Sequence, residues 1–211
     1  IGTGTITGSS SSSIIINKSG NAVFGTMLLT PGSETLNNLT LNLSGTINAA
    51  YKVTLGSPLT VNGMLTLSSG FILSGGTNLL TYGPAGILKY DGSIYTSTSD
   101  TVFPASNGPH SVIIQSASAS GLSLHANRTI DGDLTIANGQ IFSIPVAVQL
   151  TVSGILTNNA GSTGLVINSD ATGTGSLLQN NAGVYASFKR YIPQWSDDAH
   201  GWHFLSSPVQ S

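Results

Sequence analysis

Internal repetition is the feature that most constrains this chain. The segment at 53–72 aligns without a gap with the segment at 122–141, and seven of 20 positions are identical. A third copy at 150–161 follows the second by 22 residues. Self-similarity of this kind is typical of solenoids, in which each repeat packs on the one before it. We therefore expect stacked coils.

Individual positions define the length of the predicted coil. Four of them recur in the next copy: Thr129 as Thr151, Gly132 as Gly154, Leu134 as Leu156, and Gly139 as Gly161. A weaker fourth copy, 39–42, precedes 59–62 at a slightly shorter spacing. The predicted coil is therefore about 20–22 residues long, and residues 1–183 would form about eight coils.

Apolar and polar residues alternate within each copy, in the period-two pattern of a β-strand. Leu59 and Val61 fall on one side and Thr60 on the other, and Gly63 follows where the chain must turn. Short strands in a repeat of this length predict an all-β fold, a parallel β-helix (β-solenoid), and fold-level precedent makes it right-handed. An antiparallel β-sandwich also alternates, but it has no reason to repeat its sequence.

The scarcity of charge supports the same architecture. Only 7% of the 211 residues are charged, and Glu34 is the single glutamate, so residues that usually cover helix surfaces are scarce. Stacked rows of neutral Ser, Thr and Asn avoid the repulsion that stacked like charges would cause. The net charge of -2 lacks the basic field of a nucleic-acid binder or of an anionic-membrane binder. No apolar stretch approaches the roughly 18 residues of a membrane span.

From about residue 184 the sequence is enriched in aromatic residues. We therefore predict a parallel β-helix over 1–183 and a C-terminal aromatic β segment over 184–211, which caps the last coil or contacts the next subunit. Six aromatic residues of this segment are the predicted contacts for assembly or for glycans: Tyr185, Phe188, Tyr191, Trp195, Trp202 and Phe204.

Four stretches of the chain resemble a known family. The stretches at 26–42 and 102–110, and above all the run from 189–193 to 201–208, are similar to the large secreted β-helix repeat proteins of Bacteroidota. Those proteins are type IX secretion cargo, and they include surface and adhesin-like proteins. The resemblance implies a secreted, extracellular or cell-surface location, and it makes 184–211 the start of a further β-domain.

Acidic residues and histidines give two candidate ligand sets. Asp131 and Asp133 could hold Ca²⁺ or perform acid–base chemistry, but Asp131 aligns with polar turn residues of the sister coils. Asp198, His200 and His203 lie close enough in sequence to ligate a metal, but their spacing is not that of a helical zinc motif. We therefore predict no catalytic, cofactor-binding or metal site, and no enzyme activity.

Three other residues have a possible chemical role. His110 and His125 are predicted to be single residues on loops or strand faces. The run Asp100-Thr-Val102 resembles the O-glycosylation pattern of Bacteroidota, which makes Thr101 a candidate modification site.

The predicted function follows from the ends of a solenoid. Such a fold exposes unpaired backbone groups at both ends, and head-to-tail contact between identical subunits propagates as a fibre. We therefore expect an extracellular structural or surface protein, a self-assembling filament subunit or an adhesin stalk, with itself as partner. The alternative is a carbohydrate-binding or carbohydrate-cleaving β-helix, in which Trp195, Trp202 and Tyr191 stack on surface glycans. A third possibility is an inert spacer.

Overall fold

A computed structural model describes residues 4–44, 51–74 and 79–193 of the chain. These residues form a parallel β-helix of about seven turns, which confirms the predicted all-β solenoid and gives about one turn fewer than expected. The strands are β1 (Ser9–Lys18), β2 (Gly25–Met27), β3 (Thr35–Leu43), β4 (Lys52–Leu55), β5 (Leu59–Val61), β6 (Met64–Ser69), β7 (Phe71–Ser74), β8 (Leu80–Tyr82), β9 (Ile87–Asp91), β10 (Ser111–Ser116), β11 (Leu122–Ser123), β12 (Arg128–Ile130), β13 (Leu134–Ile136), β14 (Phe142–Ile144), β15 (Gln149–Val152), β16 (Leu156–Asn158), β17 (Leu165–Ile167), β18 (Ser169–Asp170), β19 (Gly173–Thr174), β20 (Ser176–Leu178) and β21 (Ser187–Phe188). A 3-10 turn at Gly161–Thr163 precedes β17.

Each regular turn places one strand on each of three faces. The first face, called the spine below, runs without interruption in the order β1, β3, β6, β9, β10, β13, β16. The second face consists of β2, β4 and β7 and then of β11, β14, β17 and β21. The third face consists of the start of β3 with β5 and β8, and then of β12, β15 and β20. All these pairs are parallel, and among the described strands only the small ribbon of β18 and β19 is antiparallel.

The spine shows why the sequence takes this fold. Its inward residues stack into a buried apolar column: Leu39, Leu65, Leu88, Val112, Leu134 and Leu156. Parallel register also brings like polar residues together on the outside, as where Asn42 Nδ2 donates to Asn17 Oδ1 at 3.0 Å. Columns and rows of this kind use neutral side chains because each residue meets its equivalent one turn away.

The register confirms part of the sequence alignment and corrects another part. Leu134 pairs with Leu156, as the alignment predicts. Leu39, however, pairs with Leu65 and not with Leu59, so the predicted correspondence of 39–42 with 59–62 is wrong. The length of a turn varies along the chain, and it is shorter between β4 and β7 than between β2 and β4. Part of this variation lies inside the spine, where the register shifts between Ser9 and Ser13 of β1 and between Ile114 and Ser116 of β10.

One turn, residues 92–110, departs from the pattern, and we call it the irregular turn. It places no strand on the second or third face, although Ser97 forms a single parallel bridge to Ser123. Aromatic side chains fill the interior instead: Tyr95 and Phe103 are buried, and the Tyr95 ring meets the Tyr90 ring edge to face at 5.4 Å. Larger side chains are needed here because the backbone leaves the core.

Candidate functional site

A cluster of polar side chains, called the Arg128 cluster below, joins the irregular turn to β12. Arg128 is only 4% exposed; its Nε donates to the Phe103 carbonyl at 2.7 Å and its Nη2 donates to Asp100 Oδ1. The guanidinium also lies over the Phe103 ring, 5.6 Å from the centroid. His125 completes the cluster, with Nε2 3.0 Å from Asp100 Oδ1 and Nδ1 2.6 Å from Thr98 Oγ1.

Asp100 is the exposed end of this cluster. The hydrogen bond with His125, together with the charges of His125 and Arg128, lowers the pKa of the Asp100 carboxyl below its ordinary value. The Asp100 side chain is 81% exposed, so water screens much of this interaction. The carboxylate is therefore ionised at neutral pH.

Thr98, His125 and Asp100 follow one another as hydroxyl, imidazole and carboxylate. This is the order of a catalytic triad, in which a nucleophile is followed by its base and by the acid that orients the base. Thr98, however, is 4% exposed, and its Oγ1 accepts a hydrogen bond from the His125 backbone N–H at 3.0 Å. A hydroxyl that is buried and bonded to the backbone cannot reach a substrate. The arrangement therefore acts as a clamp on the irregular turn.

The strand β1 forms an exposed edge at the first turn of the helix. Within the part of the chain that the structure describes, β1 pairs only with β3. The Lys18 carbonyl accepts from the Ser44 N–H at 2.8 Å. Along a parallel strand the backbone groups of successive residues point to opposite sides, so the N–H and C=O groups of Lys18, Ile16 and Ile14 point toward β3. Ile15 and Asn17 therefore present their N–H and C=O groups to the open side.

The last turns carry exposed apolar side chains. Ile155 is 60% exposed and Leu178 is 51% exposed. Next to them, the spine edge at β16 is covered, because the Leu156 N–H donates to Asn181 Oδ1 at 2.6 Å and Asn158 Nδ2 donates to the Tyr185 carbonyl at 2.7 Å. The spine edge at this end is therefore partly closed, whereas the β1 edge is open.

The six predicted aromatic contacts divide into two groups. Tyr185, Phe188 and Tyr191 lie at the last turn and are 69%, 39% and 44% exposed. Phe188 belongs to β21, which pairs with β17, so this part of 184–211 continues the second face. The domain boundary at residue 184 stays a prediction. The other three predicted contacts lie outside the described residues: Trp195, Trp202 and Phe204.

The other candidate residues lie apart from one another. Asp133 Oδ1 accepts from the Ile155 N–H at 2.8 Å, which is a turn contact, whereas Asp131 is exposed on the third face. Thr101 is half-buried beside the buried Val102, and its modification stays a prediction. Asp198, His200 and His203 lie outside the described residues.

The sequence does not reveal the Arg128 cluster, because the members of the cluster are far apart in the chain. Asp100 and His125 are separated by 25 residues, about the length of one turn. A search for charged and aromatic residues one turn apart would have found them. His125 is therefore not the isolated residue that the sequence predicted, whereas His110 lies exposed on a loop.

Comparison with known proteins gives no relative. No family model, curated protein or solved structure matches the chain. The described residues contain no helix long and apolar enough to span a membrane.

Proposed function

We propose that this chain is a structural module, a β-helical stalk that associates end to end with further copies of itself in a filament or adhesin at the cell surface. The observation that carries this proposal is the β1 edge, whose outward backbone groups have no strand partner in the part of the chain that the structure describes. The extracellular location follows from the family resemblance described above.

The β1 edge has the properties of a strand that accepts another. It is ten residues long, and Lys18 is its only charged residue. Natural proteins usually protect such an edge with charges, proline or a covering element. Asn17 Oδ1 accepts a hydrogen bond from Asn42 Nδ2 at 3.0 Å. The side-chain Nδ2 of Asn17 can therefore donate in the same way to a residue on a strand stacked on β1.

At the opposite end the edge of β16 is covered, so a further copy would meet β21 of the second face instead. The apolar side chains of Ile155, Leu178 and Tyr185 are exposed there, and β21 pairs with β17 on one side. Because the two ends differ, contact between copies is heterologous and does not close into a dimer. Association would therefore extend the stack in one direction.

The test is the substitution Ile15→Pro. Proline removes the Ile15 N–H from the open side of β1 and leaves the hydrogen bonds to β3 in place. We expect the unmodified chain to form larger species as its concentration rises in sedimentation velocity, and fibres in electron microscopy. Ile15→Pro should remain monomeric.

Ile15→Thr is the matched control, because it removes the apolar side chain and keeps the N–H. It should associate like the unmodified chain. An unmodified chain that is monomeric throughout the concentration series, or an Ile15→Pro chain that still forms fibres, contradicts the proposal.

A further inference from the structure

The irregular turn leaves a gap in the third face. Strand β8 ends one half of this face and β12 begins the other, and the turn between them contributes residues 104–109 as a loop. The loop remains attached to β8, since the Tyr82 N–H donates to the Asn107 carbonyl at 3.0 Å. Between the loop and the strands lies a cleft of about 340 Å³, within the size range of small-molecule sites.

The cleft is formed by a rigid part of the molecule. The Tyr82 hydroxyl donates to the Val102 carbonyl at 2.7 Å, and Arg128 Nε donates to the Phe103 carbonyl at 2.7 Å. Three proline rings, those of Pro84, Pro104 and Pro109, line the cleft. The site is therefore preformed, and a ligand would meet little ordering cost.

Four polar side chains line this cleft and have no side-chain partner among the described residues. Asn107, His110, Thr129 and Asp131 line it, and none of them has a side-chain hydrogen bond or ion pair within residues 4–44, 51–74 and 79–193. The His110 ring lies against Gly132, where a Cβ would come within 2.6 Å of its Nε2. Donors and acceptors that the fold positions and leaves unpaired are available to a ligand.

The lining indicates the chemistry of that ligand. Lysine and arginine are absent from the described lining, and Asp131 contributes a carboxylate, so an anion would be repelled. A purely apolar ligand would bury the polar groups of Asn107 and Thr129 unpaired, which costs free energy. A neutral ligand with many hydroxyl groups and C–H faces for the proline rings fits both limits.

From this geometry we infer that the cleft between residues 104–109 and β12 binds a short neutral oligosaccharide. The inference goes beyond the proposed stalk, because it places an adhesive site on its side. It also differs from the sequence hypothesis, which placed glycan contacts on Tyr191 and other aromatic residues of the C-terminal segment. The cleft contains His110, Thr129 and Asp131 instead.

The test is saturation-transfer NMR of cellotetraose, mannotetraose and tetra-N-acetylchitotetraose with the full chain, with Kd obtained by titration. We expect at least one of the three to receive saturation. Thr129→Val removes a hydroxyl from the cleft and should weaken binding at least fivefold. Thr151→Val is the matched control, since Thr151 pairs with Thr129 one turn away and lies outside the cleft lining.

Asp131→Asn tests the nature of the ligand. An amide still accepts hydrogen bonds, so the Kd for a neutral sugar should change less than threefold. The inference is overturned if none of the three sugars binds, if Thr129→Val and Thr151→Val behave alike, or if Asp131→Asn abolishes binding.

Discussion

The spine and the irregular turn stabilise the same stack by different means. In the spine, each strand contributes aliphatic side chains inward and neutral polar side chains outward, and the backbone ladder continues through every turn. The irregular turn lacks strands on two faces and depends on aromatic rings and the buried Arg128. A solenoid can therefore lose two of its three ladders locally when specific side chains replace the lost backbone bonds.

Truncation of a buried side chain in the spine should cost the most stability. Leu88 is fully buried between β6 and β10, so Leu88→Ala leaves a cavity that the rigid ladders cannot close. We expect a loss of about 2–5 kcal/mol in the free energy of unfolding, measured by urea denaturation. Ile155→Ala, at a side chain that is 60% exposed, is the control and should cost much less. Equal losses would contradict the role of the buried spine column in stability.

The next largest loss of stability is expected in the Arg128 cluster. Arg128→Met keeps much of the apolar stem but removes the donors to Phe103 and Asp100, so we expect a loss of about 2–3 kcal/mol. Arg190→Met, at an exposed arginine, should change the stability by no more than about 0.5 kcal/mol. If both variants unfold at the same urea concentration, the cluster does not clamp the irregular turn.

A smaller effect separates Tyr90, in β9, from Tyr95 in the irregular turn. The Tyr95 hydroxyl donates to the Gly70 carbonyl at 2.7 Å, whereas the buried Tyr90 hydroxyl has no hydrogen-bond partner among the described residues. Burial raises the pKa of both phenols, so both remain protonated. Tyr95→Phe should destabilise the protein by about 1 kcal/mol, and Tyr90→Phe should be neutral or stabilising, in thermal denaturation. The reverse order would contradict this assignment.

The smallest effect is the pH dependence of the cluster. The pKa of Asp100 is lowered in the folded protein, so its contribution to stability is present above the unfolded pKa and is lost as the pH falls through the folded pKa. The stability difference between the unmodified chain and Asp100→Asn should therefore shrink below about pH 4. Melting temperatures at neutral and acidic pH measure it, and a difference that stays constant would contradict the clamp.

The sequence predicts the spine better than the irregular turn, for a physical reason. Thr129 and Thr151 could be aligned because regular rungs place equivalent residues in equivalent surroundings. The same regularity caused the error at 39–42, since Leu59-Thr-Val and Leu65-Thr-Leu look alike although they belong to different faces. The Arg128 cluster has no repeated counterpart, so comparison of one repeat with another could not find it.

The ladders also determine how the molecule responds to force. Their hydrogen bonds run along the axis of the stack, so a pull on its two ends loads the bonds of one rung at a time rather than many in shear. A released rung of about 22 residues supplies up to roughly 75 Å of extended chain, in place of a rung height of about 4.8 Å. Under tension the protein would lengthen stepwise, and it would dissipate mechanical work as it unwinds.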